Sequence, residues 1–231
     1  MTPSPNHLLA SLPATVYAAI QPHLKTIELK HGAVLAEAGS TIDTVYFPHS
    51  GIISLVVDLA VGEMIETAMV GRDGVFYASA ALDSKVALNK AIVQLSGIAS
   101  ILDASELDRV ADEHKALRTL LVRHDMLLFS QAQQSAACNA MHKVEARMCR
   151  WLLRMRDLAG SDDLQLTQEF LAQMMGVRRT SVSLVAATLQ KAGFIKYRRG
   201  HIRILDIKGI EESACECYAT VKAQYGHLLP A

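Results

Sequence analysis

Residues 166–205 read LTQEFLAQMMGVRRTSVSLVAATLQKAGFIKYRRGHIRIL, and this stretch decides the fold of the C-terminal part of the chain. Thr167 suits the N-cap of a first helix, and Gly176 suits the turn after it because glycine readily adopts positive φ. A second helix is predicted from about Arg179 to Ala192. Two short alternating strands follow, joined through residues 198–201. Helix, turn, helix and hairpin in this order predict a winged helix-turn-helix.

Charge separates this stretch from the rest of the protein. The chain carries 23 Lys and Arg against 23 Asp and Glu, so it is formally neutral. Residues 170–205 nevertheless contain no acidic residue, and their basic residues are Arg178, Arg179, Lys191, Lys196, Arg198, Arg199 and Arg203. Concentrated positive charge on this motif indicates an affinity for the phosphates of a DNA duplex. The alternative is a solvated basic face on a winged helix that binds another protein.

Candidate DNA contacts follow from residue type and position. Side chains near the start of the second helix suit base edges in the major groove; they are Arg179, Thr180, Ser181 and Ser183. Side chains expected to hold phosphates are Gln168, Arg178, Arg198, Arg199 and His201. Among these residues, Arg179 is expected to contact a base, guanine above all, because a guanidinium can bond the O6 and N7 atoms together.

The stretch resembles the DNA-binding domain of the Crp/Fnr transcription regulators. The matching residues are Leu166, Thr167, Gln168, Glu169, Ala172, Gly176, Arg179, Val182, Leu189, Gly193, Phe194, Ile195 and Gly200. The resemblance covers nearly the whole chain but is specific only in this part. The family reads bases with an Arg-Glu pair and a later Arg. Arg179 matches the first of these, whereas Thr180 and Leu184 replace the others, so the operator of the best-known members is not expected here.

The N-terminal part predicts an antiparallel β sandwich behind short helices in residues 7–24. Turn signals containing glycine recur about every ten residues, which is typical of a sandwich or barrel. The predicted strands are 26–30, 34–36, 44–47, 52–57, 64–70, 91–95 and 99–102. In the Crp/Fnr resemblance this region is a jelly roll like those that bind cyclic nucleotides. The fold class is therefore α+β: a sandwich, a long dimerisation helix and a winged helix-turn-helix.

The same resemblance raises the question of an effector. Family members that bind cyclic nucleotides hold the ribose with a Gly-Glu pair and the phosphate with an Arg-Ser/Thr-Ala triplet. Here Val75 follows Gly74, and the triplet position reads Asn89-Lys90-Ala91. We expect a pocket filled by its own side chains or one that takes another ligand. A cyclic-nucleotide-responsive regulator, with Lys90 at the phosphate, is the alternative; the sequence identifies neither the effector nor a cofactor.

Residues 116–137 predict a long helix that is apolar on most of its circumference at first. Residues at alternating steps of four and three form a coiled-coil seam; they are Leu117, Leu121, His124, Leu128, Gln131, Ser135 and Cys138. A homodimer on a palindromic operator is therefore expected, and a single internal core helix is the alternative. A break at residues 139–142 is the expected hinge. The expected domains are a sensor (1–112), a dimerisation helix (113–139) and a DNA-binding domain (140–231), with RNA polymerase a candidate partner.

Other functions find less support in the sequence. The common nucleophile, phosphate-loop and dinucleotide motifs of enzymes are absent. The histidines make no zinc-type spacing, and Cys215 and Cys217, two apart on a predicted helix, should diverge. We therefore expect no metal site, although a redox role for Cys138 or for Cys215 and Cys217 stays open. Neither a membrane span nor a signal peptide is apparent, so the protein is expected to be cytoplasmic.

Overall fold

The computed structural model describes residues 4–60, 62–82 and 85–229. Helices α1 (His7–Ala10) and α2 (Ala14–Ile20) and a 3-10 turn precede the sandwich. Its strands are β1 (Lys25–Leu29), β2 (Val34–Ala36), β3 (Thr44–Pro48), β4 (Ile52–Asp58), β5 (Met64–Val70), β6 (Lys90–Leu95) and β7 (Gly97–Asp103). They pair antiparallel in the orders β1-β7-β3 and β2-β6-β4-β5, which confirms the predicted sandwich.

The remaining elements are mostly helical. They are α3 (Ala104–Glu113), α4 (Lys115–Met141), α5 (Val144–Ala159), β8 (Asp163–Gln165), α6 (Gln168–Met175), α7 (Arg179–Lys191), β9 (Ile195–Arg198), β10 (His201–Ile204), α8 (Ile207–Ser213) and α9 (Cys217–Leu228). The predicted winged helix-turn-helix is confirmed, with an unpredicted strand β8 that gives the wing sheet the order β8-β10-β9. Two terminal helices form where one was predicted, because the chain is extended at Ala214.

The four-stranded sheet of the sandwich is buried on both faces. Side chains alternate along β4, so Ile53 joins the core inside the sandwich while Ile52 and Val56 point to the other side. On that side they meet a second core built by α5 and the helix-turn-helix, with Met148 and Trp151 among its members. The winged helix-turn-helix part is therefore packed against the sandwich rather than tethered beside it.

The predicted coiled-coil seam of α4 is wrong. Its side chains, apart from the half-buried Leu128, are buried within the chain. Leu117 and Leu121 belong to the sandwich core, and Nε2 of His124 accepts a hydrogen bond from the backbone N–H of Val75 at 3.2 Å. Gln131 Oε1 accepts one from Met69 N–H at 2.6 Å. This face is occupied by the sandwich and by α9, so it offers nothing to a second subunit.

A different face of α4 is exposed. Val122, Met126 and Phe129 are 40%, 57% and 66% exposed, which is unusual for large apolar side chains on one helix. Steps of four and three continue through three further exposed residues, Gln133, Ala136 and Ala140. These six residues, named the α4 seam below, form a continuous stripe with coiled-coil spacing.

The break between α4 and α5 is shorter than predicted. Helix α4 runs through Met141, and only His142 and Lys143 have extended backbone, with ψ values of 145° and 150°. Asn139 to Met141, which were assigned to the break, are helical. Two residues thus connect the helix that carries the seam to the helix that packs on the sheet.

The turn at residues 71–74 connects β5 to α4 and α5. Asp73 Oδ2 lies 2.8 Å from Nη1 of Arg154, which is only 12% exposed and sits 4.4 Å above the ring of Tyr225. Gly74 lies so close to His124 that an added Cβ would be 2.3 Å from Nε2. The sequence indicated a simple turn between strands, but the turn also carries the contacts that hold α5 and α9 near the sandwich.

A buried carboxyl adds a polar contact across the second core. Glu66 on β5 accepts hydrogen bonds from Ser54 Oγ at 2.6 Å and from Trp151 Nε1 at 2.9 Å. Burial raises the pKa of Glu66 from its ordinary 4.5 to about 7, and the two hydrogen bonds offset only part of this rise. Trp151 therefore contacts the sheet through a group that titrates near neutral pH.

We expect Glu66→Gln to flatten the pH dependence of stability. The folded-state pKa of Glu66 lies above that of the unfolded chain, so native protein holds a proton that unfolded protein releases. Its contribution to stability is complete below about pH 4.5 and is lost as pH rises through about 7. Between about pH 5 and pH 8 the wild type should lose roughly 1–3 kcal/mol more stability than the variant in urea unfolding. Glu63→Gln, at an exposed turn, is the matched control, and equal slopes for Glu66→Gln and wild type would contradict the assignment.

Candidate DNA-binding surface

The first helix of the motif is held at both ends by the predicted residues. Thr167 Oγ1 accepts a hydrogen bond from Phe170 N–H at 3.1 Å and so caps the N-terminus of α6. Gly176 ends the helix with φ of 60°, a left-handed conformation that favours glycine. The turn places α7 across α6, and α7 buries Val182, Val185, Ala186 and Leu189 as predicted.

The opposite face of α7 is open at its N-terminal end. Arg178, Arg179 and Thr180 are exposed, and Ser181 and Ser183 are half-buried. The backbone N–H groups of this first turn also carry the positive end of the helix dipole. Cationic and hydroxyl side chains are thus concentrated where a phosphate or a base edge is favoured.

Polar contacts fix the side chains between α6 and α7. Ser183 Oγ donates to Gln168 Oε1 at 2.6 Å, which leaves the amide nitrogen of Gln168 as the group able to donate to a phosphate. Arg179 Nη1 lies 3.3 Å from Glu169 Oε2, and both side chains are mostly exposed. Exposed pairs of this kind contribute at most about 1 kcal/mol, so DNA can readily displace Glu169 from Arg179.

The wing presents its cations on one face. Its other face buries Ile195, Ile202 and Ile204, while the exposed residues are Lys196, Arg198, His201 and Arg203. Arg199 and Gly200 form the two-residue tip, with φ of 46° and 81°. Positive φ at both positions is typical of a type I′ hairpin turn, whose twist matches the paired strands.

Backbone contacts bring the wing next to the start of α6. The carbonyl of Gly200 accepts a hydrogen bond from Leu166 N–H at 2.7 Å. Gln168 therefore lies between the wing tip and Ser183 of α7, and the predicted phosphate contacts adjoin the predicted base contacts. His201 Nδ1 is 3.7 Å from Asp163 Oδ1 on the unpredicted strand β8.

Leu184 is a surface residue that sequence reasoning passed over. It lies on α7 one turn beyond Thr180 and is 71% exposed. An apolar side chain in this position can contact the methyl group of thymine in the major groove. In the sequence, Leu184 was noted only because it replaces the family's later Arg. That replacement did not indicate what Leu184 itself contacts.

The sensor pocket is lined by its own apolar side chains. Val75 and Phe76, at the ribose-binding position of the family pattern, are fully buried. Lys90 lies 3.4 Å from carboxylate oxygens of both Glu37 and Asp58, so its charge is already paired. A cavity of about 150 Å³ remains between the sandwich and α4. Burial raises the pKa of Asp125, which lines it, to about 6.

The cysteines depart from the prediction. Cys215 lies in the link before α9, not on one helix with Cys217, and both come close to Cys138 and His142. Burial raises the pKa of the Cys138 thiol, whereas a reactive sensor thiol needs a lowered pKa. The redox role left open for Cys138 therefore gains no support. Cys138, His142, Cys215 and Cys217 form a group of potential metal ligands that the sequence did not indicate, and the expectation of no metal site stays a prediction.

Known proteins share this fold and the domain that carries this surface. The fold places a β sandwich and a long helix before a C-terminal winged helix-turn-helix. Residues 146–213 match the family model of the Crp-like helix-turn-helix domain. No curated protein matches the chain in sequence.

Solved structures share the fold over most of the chain. A transcriptional regulator of the Crp/Fnr family from Eubacterium rectale is 19% identical, with a TM-score of 0.67, and the match covers 89% of this chain and 96% of that one. FixK2 from Bradyrhizobium japonicum is 14% identical, with a TM-score of 0.72 and coverage of 83% and 98%. A CRP-family regulator from Thermus thermophilus is 22% identical, with a TM-score of 0.67 and coverage of 81% and 96%.

The C-terminal part thus matches the Crp-like helix-turn-helix domain, and the whole chain shares its fold with structures of Crp/Fnr-type regulators. Among the described residues, none of the helices combines the length and apolar character needed to cross a membrane.

We expect cyclic AMP and cyclic GMP to leave the melting temperature unchanged at millimolar concentration. The ribose position is filled by Val75 and Phe76, and Lys90 is paired with carboxylates. A ligand at 100 times its Kd would stabilise the fold by about 2.7 kcal/mol, which is readily measured by differential scanning fluorimetry. A concentration-dependent rise with either nucleotide would contradict this reading of the pocket.

Proposed function

We propose that the protein reads a palindromic operator as a homodimer, with α7 in the major groove and the wing on the adjacent backbone. The observation that carries the proposal is the continuous exposed surface from the start of α7 through Gln168 to the wing tip. The buried apolar side chains of α7 and of the wing lie on the opposite side of these elements, so the basic side chains face solvent. The proposed division keeps residues 1–112 as sensor, 113–139 as dimerisation helix and 140–231 as reader.

In this proposal the residues at the start of α7 read bases. Arg179 donates to guanine, while Thr180 and Ser181 contact neighbouring base edges and Leu184 meets a thymine methyl. Ser183 lies beside these residues, and its hydroxyl already donates a hydrogen bond to Gln168. Because Thr180 and Leu184 replace two family side chains, the half-site should differ from that of the best-known members.

Phosphate contacts would come from both sides of α7. Arg178 precedes the helix, Gln168 lies beside Ser183, and the wing supplies Arg198, Arg199 and His201. These contacts set position and affinity but carry little sequence information. RNA polymerase remains a proposed partner for the regulator on its operator.

The α4 seam is the proposed dimer contact. Its large apolar side chains Val122, Met126 and Phe129 face solvent in one subunit, and the coiled-coil spacing suits the same helix of a second copy. A two-fold dimer would present two α7 helices to successive major-groove turns, roughly 34 Å apart. An effector or partner that changes the angle at His142 and Lys143 would alter that spacing and hence the fit to the operator.

Base reading and phosphate binding should separate in two variants. On an operator selected from genomic fragments, Arg179→Ala should lose roughly 1–3 kcal/mol and relax its base preference, while binding to random duplex changes little. Arg199→Ala should weaken both duplexes alike and reduce the slope of log K against log salt by about one. Fluorescence anisotropy in rising salt measures both. Lys208→Ala, an exposed cation on α8, is the control, and equal losses on both duplexes for Arg179→Ala would refute base reading.

The dimer contact has its own test. Met126→Glu should raise the dissociation constant of the dimer at least about tenfold, since a carboxylate would be buried between two apolar helices. Sedimentation equilibrium over a concentration series gives the constant. Ala116→Glu adds the same charge to an exposed position of α4 away from the seam and should leave it unchanged. An unaltered constant for Met126→Glu would exclude this interface.

A further inference from the structure

Three cysteines and one histidine converge beside the break between α4 and α5. The side-chain sulfur atoms of Cys138, Cys215 and Cys217 and a ring nitrogen of His142 all lie within 4.8 Å of one another. Cys138 Sγ is 3.5 Å from Cys215 Sγ, and Cys217 Sγ is 3.5 Å from His142 Nδ1. Cys138 lies in the last turn of α4 and His142 directly follows that helix, while Cys215 lies in the α8–α9 link and Cys217 begins α9.

These separations match the edges of a small tetrahedron. Zinc lies about 2.3 Å from thiolate sulfur and about 2.0 Å from imidazole nitrogen, which puts two ligand sulfurs about 3.8 Å apart and a sulfur and a nitrogen about 3.5 Å apart. The remaining separations, at most 4.8 Å, need to contract by only about 1 Å to reach these values. A disulfide needs sulfurs about 2.0 Å apart, and all four cysteines of the chain are free thiols.

Neighbouring groups are placed as in the outer shell of a metal site. Glu216 Oε1 lies 3.2 Å from Nε2 of His142, so the carboxylate is placed to pair with that nitrogen. This leaves Nδ1, which faces Cys217, free to bind a metal; such carboxylate-histidine pairs are usual behind metal ligands. The amide of Gln134 donates to Cys217 Sγ at 3.0 Å, a contact that stabilises a negatively charged sulfur.

We propose that Cys138, His142, Cys215 and Cys217 bind one zinc ion in a closed structural site. Soft thiolate ligands with one imidazole favour zinc over magnesium or calcium. Four protein ligands leave no open position, which is typical of a structural rather than a catalytic ion. The ion would fasten the α8–α9 link to the two-residue break between α4 and α5. The proposed zinc site depends only on these four ligands and is independent of the proposed DNA binding.

Metal content of the full-length protein tests the site. Protein expressed with added zinc and purified under reducing conditions should contain one zinc per chain by mass spectrometry of the metal. Cobalt(II) in its place should show the strong visible bands of a tetrahedral thiolate complex. Cys215→Ala should lose the bound metal, whereas Cys149→Ala, at the one cysteine outside the cluster, should retain it.

A surface variant keeps the test independent of folding. Glu216→Gln changes an exposed side chain and should weaken zinc affinity about 10- to 100-fold in competition with a chelator. Glu212→Gln, an exposed glutamate on α8 away from the cluster, should leave the affinity unchanged. Failure of the wild type to take up zinc or cobalt would overturn the proposal. So would full zinc content in Cys215→Ala, or a Cys138–Cys215 disulfide that persists in protein supplied with zinc.

Discussion

Strand β4 of the sheet β2-β6-β4-β5 is buried on both faces along most of its length, and the arrangement of the whole chain depends on this double burial. Strand β4 sends Ile53 into the sandwich and Ile52 and Val56 into the core of the DNA-binding part. Each buried apolar side chain of this kind is worth roughly 1.5–3 kcal/mol, so lifting α5 away from the sheet would expose a large apolar area. The Trp151–Glu66 hydrogen bond and the Asp73–Arg154 ion pair would be broken in the same movement. The sandwich and the winged helix-turn-helix therefore share one packed interior.

Local patterns in the sequence predicted the elements well. Alternation of apolar residues and regular turns located all seven strands of the sandwich, because side chains two apart in a strand share a face. Thr167, Gly176 and the wing tip located the reading motif through caps and turns, which are properties of a few adjacent residues. Most of the proposed DNA surface was likewise visible in the sequence, since charge and motif coincide there. The sequence did not predict strand β8, because a three-residue strand within a polar loop is too short to show an alternating pattern of apolar residues.

Long-range packing could not be read in the same way. Helix α4 carries two stripes with four-three spacing, one through Leu121 and one through Met126, and spacing alone does not say what covers each. The sandwich and α9 cover the first, which leaves the second exposed. The thiol cluster was missed for a related reason: the extended backbone at Ala214 separates Cys215 from α8, and Cys215 lies close to Cys217. No periodic pattern in the sequence indicates that residues 138–142 lie close to residues 215–217.

The C-terminal helices matter because they span the proposed hinge. Helix α8 packs on α5, while α9 packs on both α4 and α5. On one side Ser130 Oγ donates to Gln224 Oε1 at 2.9 Å, and on the other Tyr218 O–H donates to Asp157 Oδ2 at 2.8 Å. Helix α9 thus holds both sides of the two-residue break. Rotation of α5 about that break must either carry α9 with it, breaking the Ser130–Gln224 contact to α4, or leave α9 in place, breaking the Tyr218–Asp157 contact to α5. Because either movement breaks contacts of α9, this helix restrains rotation of the winged helix-turn-helix about the break.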